Sequence, residues 1–223
     1  MIIRTLTICI AIGLAVAGMA GAWGLPAALS TSSSSSYGDP DGFLSRARNA
    51  EALTDNSADS IYKAVASKEE QAKMEELQKK LIETTDDKEK NALRHQITES
   101  EMATIEKRAK DQETQEQAKN WDDKKKKYVA DAFYNLSLGS LQAALLVPEG
   151  TAMASAISNN PANAIRLAIK VTSVLEAVKS LGGVISNTAK VTAALKPLMS
   201  AAKIDAKAPA SAADKPKDAS KDI

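Results

Sequence analysis

A chain of 223 residues that holds one histidine and one cysteine has little with which to build a reactive centre. A structural zinc site takes four Cys/His ligands and a disulfide takes two cysteines, so neither is expected. Any Ser-His-Asp or Cys-His arrangement would have to be built on His95 alone. His95 lies in a charged stretch, Lys90–Glu99 (KNALRHQITE), which reads as a solvated helix face. The acidic pairs Asp86-Asp87 and Asp122-Asp123 are adjacent in sequence. Neighbouring side chains on a helix diverge by about 100°, so neither pair converges on one cation. No oxygen-rich calcium loop of the EF-hand kind occurs. A glycosidase built on two carboxylates would need an aromatic-walled cleft, and aromatic residues make up only 4% of the chain. The expectation is a protein that is not an enzyme and takes no cofactor, metal or small-molecule substrate.

The remaining chemistry is that of surfaces. Lys124, Lys125, Lys126 and Lys127 form the one dense basic block, with Trp121 before it and Tyr128 after it. Such a block can contact a phosphate or a lipid headgroup, the two rings acting as interfacial anchors. The plainer reading is a solvated helix face partly neutralised by Asp122 and Asp123, and it is preferred. The net charge is only +1, from 29 Lys+Arg against 28 Asp+Glu, so no long-range field draws the chain to nucleic acid. Asn135-Leu136-Ser137 matches a glycosylation triplet but falls in an apolar helix expected to be buried.

These residues must be positioned by helices. Gly and Pro occur only at a few punctuation points between the two ends of the chain, and no alternating β-branched pattern is found. Residues 1–22 read as a signal peptide: Arg4 is the only charge before Leu29, Leu6–Ala22 is apolar, and Ala20-Gly21-Ala22 offers a cleavage triplet before Trp23. The competing reading is an uncleaved inner-membrane anchor over residues 5–29, since Leu6–Leu29 holds roughly 24 uncharged residues and a span takes about 20. Either one exports the remainder to the periplasm or cell surface. Cys9 lies within this segment.

Residues 23–56, with their Ser run and Gly-Asp-Pro-Asp-Gly, read as a flexible linker, and residues 206–223 (AKAPASAADKPKDASKDI) as a disordered tail. Residues 57–127 read as a charged arm. Folding that stretch back near position 87 sets Leu81, Leu77, Ala72 and Val65 against Leu93, Ile97, Met102 and Ala109, an antiparallel helical hairpin. Its second helix is expected to run unbroken over Asp87–Leu146, about 90 Å at 1.5 Å per residue.

Residues 128–205 form an apolar helical base. Pro148-Glu149-Gly150 is expected to end one helix, Thr151–Ser158 to form a short one, and Asn160-Pro161 to open the last. In that last helix Val171, Val174, Val178, Leu181, Ile185, Thr188, Thr192, Leu195, Met199 and Ala202 recur in alternating steps of three and four. Such a stripe is a packing or oligomer seam. Gly182 and Gly183 interrupt it at a cost of about 2 kcal/mol without shifting its phase, which predicts one continuous helix with a candidate hinge. Pro197 is expected to kink its end.

The fold class is therefore all-α: a charged hairpin arm on a small apolar helical base. This plan resembles that of periplasmic adaptors, holdase chaperones and minor components of secretion machines, at the level of shape only. The function expected is that of an exported interaction protein whose partners are other proteins or further copies of itself. The alternative is a secreted membrane-active protein that inserts the apolar 162–202 segment, although Arg166, Lys170, Glu176, Lys179, Lys190 and Lys196 interrupt it.

Overall fold

A computed structural model describes residues 38–159 and 161–219, and of residues 161–169 only the backbone is described. Six helices and no strand are present among the described residues, so the protein is all-α as the sequence reading expects. They are α1 (Pro40–Val65), α2 (Lys68–Glu83), α3 (Asp87–Lys110), α4 (Gln112–Ala118), α5 (Asp123–Ser158) and α6 (Pro161–Ala201).

The starts of these helices follow from single side chains. Asp39, Asp86 and Asp122 cap α1, α3 and α5 by accepting from the backbone N–H of Asp41, Glu89 and Lys125. Each carboxylate satisfies a donor that the first turn leaves without a partner. Asp111 ends α3 and also caps α4, accepting from Thr114. Ser67 and Glu70 make a full capping box at α2. The Glu70 Oε2 that accepts from the Ser67 amide at 2.9 Å also accepts from Arg108 Nε at 2.8 Å, which ties the start of α2 to the end of α3. Burial pushes the Glu70 carboxyl up, but the hydrogen bonds from Arg108 and Ser67 outweigh it and hold the group below its ordinary range.

The end of α6 is a Schellman motif. Ile204 N–H bonds to Met199 O and Lys203 N–H to Ser200 O, with Lys203 in the left-handed region at φ 57°. Ile204 at the motif's last position packs on the core that contains Met199.

Two clusters make up the interior. One gathers Phe43, Ala47 and Ala50 of α1, Ala143, Leu146, Met153 and Ile157 of α5, and Val174 and Leu181 of α6. The other joins Ile61 of α1, Met74 of α2, Ile105 of α3, Ala118 of α4, Val129 and Leu136 of α5, and Leu195 and Leu198 of α6. Helix α5 packs chiefly on α6 and α1. Gly139 and Gly150 of α5 lie at close contacts with neighbouring helices: a Cβ at Gly139 would meet Thr54 and the Ala50 carbonyl, and one at Gly150 would meet Phe43 and Val178.

Several expectations are corrected. The linker expected over 23–56 is helical from Pro40 onward, because Asp39-Pro40 is a cap and first-turn pair and Phe43, Ala47 and Ala50 carry an apolar stripe that the core buries. The rest of that linker lies mostly outside the described residues, as do the signal peptide of 1–22 and the anchor of 5–29. The helix expected over Asp87–Leu146 is broken at Asp111 and again between Ala118 and Asp123, where aspartates cap new starts.

Helix α5, in turn, does not stop at Pro148 but runs on to Ser158. An interior proline costs about 3 kcal/mol, and burial of Met153, Ala154 and Ile157 beyond it offsets that cost. The division at 127/128 into arm and base is also replaced: residues 57–65 belong to α1, and α3 contributes Ile97, Met102, Ile105 and Ala109 to the common core. Only α2, with Met74 its single buried residue, and the first turns of α3 stay largely in solvent. The tail beyond 206 is ordered against α5 through residue 217.

Candidate functional site

The basic block does not form one patch. Lys124 is exposed at the start of α5, while the Lys125 ammonium lies 4.7 Å from the centre of the Trp121 ring. Burial against that ring pushes the Lys125 ammonium below its ordinary range, with Asp122 working the other way. Lys126 is half-buried, and Lys127 pairs with Asp131 at 2.6 Å. Tyr128 is 6% exposed, inside the core, and so cannot anchor a membrane surface as the second ring of a pair. The block is divided because successive helix positions point in different directions.

The seam on α6 faces inward. Val174, Leu181 and Leu195 are fully buried, Met199 is nearly so, and Val171, Val178 and Ile185 are half-buried against α1 and α5. Within the chain it packs on α1 and α5, and Val171, Val178 and Ile185 keep part of their surface in solvent. Thr188 sits on the seam with its hydroxyl buried and without a hydrogen-bond partner. Gly182 and Gly183 are exposed in an unbroken helix, with open space where each Cβ would stand. Among the described residues no helix is long and apolar enough to cross a membrane.

A cluster that the sequence reading missed lies between α1 and α3. Asp55 and Asp59 of α1 face Glu101 of α3, which is 2% exposed. Burial is the main cause that pushes the Glu101 carboxyl up to about 8, with the Asp59 and Asp55 charges adding to it and Lys63 opposing. Asp55 is raised by burial too, against a 3.1 Å hydrogen bond from Thr98. Lys63 pairs with Asp59 at 2.7 Å, leaving the other Asp59 oxygen buried without a partner. Tyr62, 2% exposed, is pushed up to about 12 by burial and by Glu70, Glu101 and Asp59. His95 is exposed nearby and contributes only a distant charge to Asp55.

A second missed site is the stripe on α5 that holds the C-terminal segment. Asn135 donates from Nδ2 to Lys217 O at 2.7 Å and accepts at Oδ1 from Lys217 N–H, also at 2.7 Å. Gln142 donates to Ala212 O at 3.0 Å, and Tyr134 donates its hydroxyl to Asp214 at 3.1 Å. The Lys217 ammonium sits 3.4 Å from Asp131 and 4.5 Å from the centre of the Tyr134 ring. Asp214 is held below the usual carboxylate range by backbone donors, Ala210 first, and by Tyr134. The sequence signal was the polar pair Asp131 and Asn135 inside an otherwise apolar helix: each is almost fully buried and must therefore be hydrogen-bonded. Asn135 in its glycosylation triplet has its amide committed to this contact.

The concave features are shallow. An open depression of about 380 Å³ lies at the α2–α3 turn, lined by residues such as Lys80, Glu83, Asp86 and Leu93. Among the described residues no group of three His, Cys, Asp or Glu side chains is placed to hold a metal ion. Comparison with protein-family models, with curated proteins and with solved structures found no match to this chain.

Proposed function

We propose that the chain is an exported, non-enzymatic helical interaction protein that binds protein partners in the periplasm or at the cell surface. The observation that carries this reading is the surface of α2 and the first turns of α3. Helix α2 (KEEQAKMEELQKKLIE) buries one residue, Met74; Glu70 and Gln71 are bound to α3 and to the end of α1, while Lys68, Glu69, Lys73, Glu75, Glu76, Lys79, Lys80 and Glu83 are exposed. At its end Ile82 is 80% exposed, an apolar side chain on a charged face. Ile82 offers one apolar contact, and the exposed charges beside it can steer and select a partner. The hairpin formed by α2 and α3 is the partner-facing element in this reading.

The test is retention of proteins from envelope extracts on immobilised full-length chain, set beside a variant carrying Ile82→Lys and Lys79→Glu. Saturable retention by the native chain, reduced at least tenfold in the variant, is the expected result. Equal retention by both, or none by either, removes α2 as the binding face.

A further inference from the structure

The contacts that hold the C-terminal segment differ in kind from those of the rest of the fold. The segment from Asp205 to Lys217 has no helix or strand, and most of its side chains are exposed. It is fixed by one stripe of α5 residues spaced along a single helix face: Asp131, Tyr134, Asn135 and Gln142. Asn135 engages both the N–H and the C=O of one residue, which is how an amide side chain reads extended backbone whatever the side chain there. Gln142 takes a second carbonyl. Tyr134 and Asp131 add selectivity for an acid and a lysine three positions apart, here Asp214 and Lys217.

We propose that this stripe is a peptide-binding site for an Asp-x-x-Lys segment whose acid closes a turn over residues 211–214, filled in cis by the chain's own C-terminal segment and in trans by that of a second copy. This gives the second copy named in the interaction reading a specific binding site, and its test below is independent of any other partner. The segment of another molecule offers α5 the same atoms, so exchange changes no contact. Only the tether differs. The tether leaves α6 at Lys203, held in the left-handed region, and the stretch to Ala212 spans roughly 30 Å when fully extended. A short tether gives the cis segment an effective concentration in the millimolar range. Native protein is then monomeric at micromolar concentration, and the trans form appears when cis docking is removed.

Two full-length variants divide the site from its ligand. Lys217→Pro removes the backbone N–H that Asn135 accepts and the ammonium that Asp131 receives, leaving a site without its segment. Asn135→Leu keeps the volume of the side chain and leaves a segment without its site. The expected result in sedimentation velocity is a 1:1 heterodimer in the mixture, at concentrations at least tenfold below those at which native protein or either variant self-associates. In parallel, a fluorescein-labelled peptide of residues 208–219 binds Lys217→Pro saturably and native protein at least tenfold more weakly. A mixture that stays monomeric at several hundred micromolar, with both variants helical by circular dichroism, overturns the proposal. Peptide binding that survives Asn135→Leu overturns it as well. Should Asn135→Leu fail to fold, the pair Tyr134→Phe and Gln142→Ala replaces it with the same expected readings.

Discussion

Replacing Glu101 by glutamine keeps its shape and removes its charge, and the consequence for stability depends on pH in a way the packing sets. Glu101 is 2% exposed on α3 against α1, with Asp55 and Asp59 facing it and Lys63 the nearest opposing cation. Its carboxyl titrates near 8 in the fold, against an ordinary value of 4.5. Because the folded value is raised, the stability associated with neutral Glu101 is fully present below about 4.5. It declines through the interval and is lost once pH exceeds about 8. Each pH unit across that interval is worth about 1.4 kcal/mol, so the whole effect is on the order of 5 kcal/mol.

Glu101→Gln abolishes that dependence. At pH 4 the variant and the native protein should differ by about 1 kcal/mol or less, the ordinary scale of an isosteric change. At pH 9 the variant should be the more stable by on the order of 5 kcal/mol. Asp55, also raised by burial, titrates in both proteins and interacts with the Glu101 charge, so the difference between them reads Glu101 together with that coupling. Urea unfolding followed at 222 nm from pH 4 to pH 9 measures it. A stability difference that does not change with pH refutes the burial argument, and a native protein that gains stability between pH 5 and pH 8 relative to the variant reverses its sign.

Lys203→Gly should stabilise the chain by about 1 kcal/mol, because a β-carbon in the left-handed region is strained and glycine is not; thermal unfolding checks it. Gly182→Ala and Gly183→Ala should each add about 0.8 kcal/mol or more, since both positions are exposed with open space around them; loss of stability would place an unseen contact there. Gly150→Ala should do the reverse, costing about 1–3 kcal/mol as its methyl meets Phe43 and Val178, and denaturant midpoints decide it.

The helical class and the inward seam of α6 were legible because a step of three and four is the direct imprint of a helix on a buried face. Leu181 and Leu195 had few other places to go. The capping box at Ser67 and the caps at Asp39 and Asp111 are equally local, but in the sequence they lie beside a Ser run and an unbroken charge pattern that mask them. At Pro148 local propensity calls for a helix end, and tertiary burial of Met153 and Ile157 overrides it. The Glu101 cluster and the Asn135 site were illegible for another reason. Each joins residues far apart in sequence, Asp55 with Glu101 and Asn135 with Lys217, and neither partner is unusual by itself. A low-complexity segment such as 206–219 lacks apolar bulk to announce docking, and its attachment depends on polar groups that a buried helix face leaves in need of partners.

The interaction reading is tested most directly by a photoreactive amino acid placed at position 82, at the exposed end of α2, in full-length protein made in living bacteria, with position 196 on α6 as the control. Irradiation and mass spectrometry of the envelope fraction are expected to return one dominant protein adduct from position 82 and none of that species from position 196. Adducts that are absent from the envelope fraction, or that are the same from both positions, contradict a partner-binding face on α2.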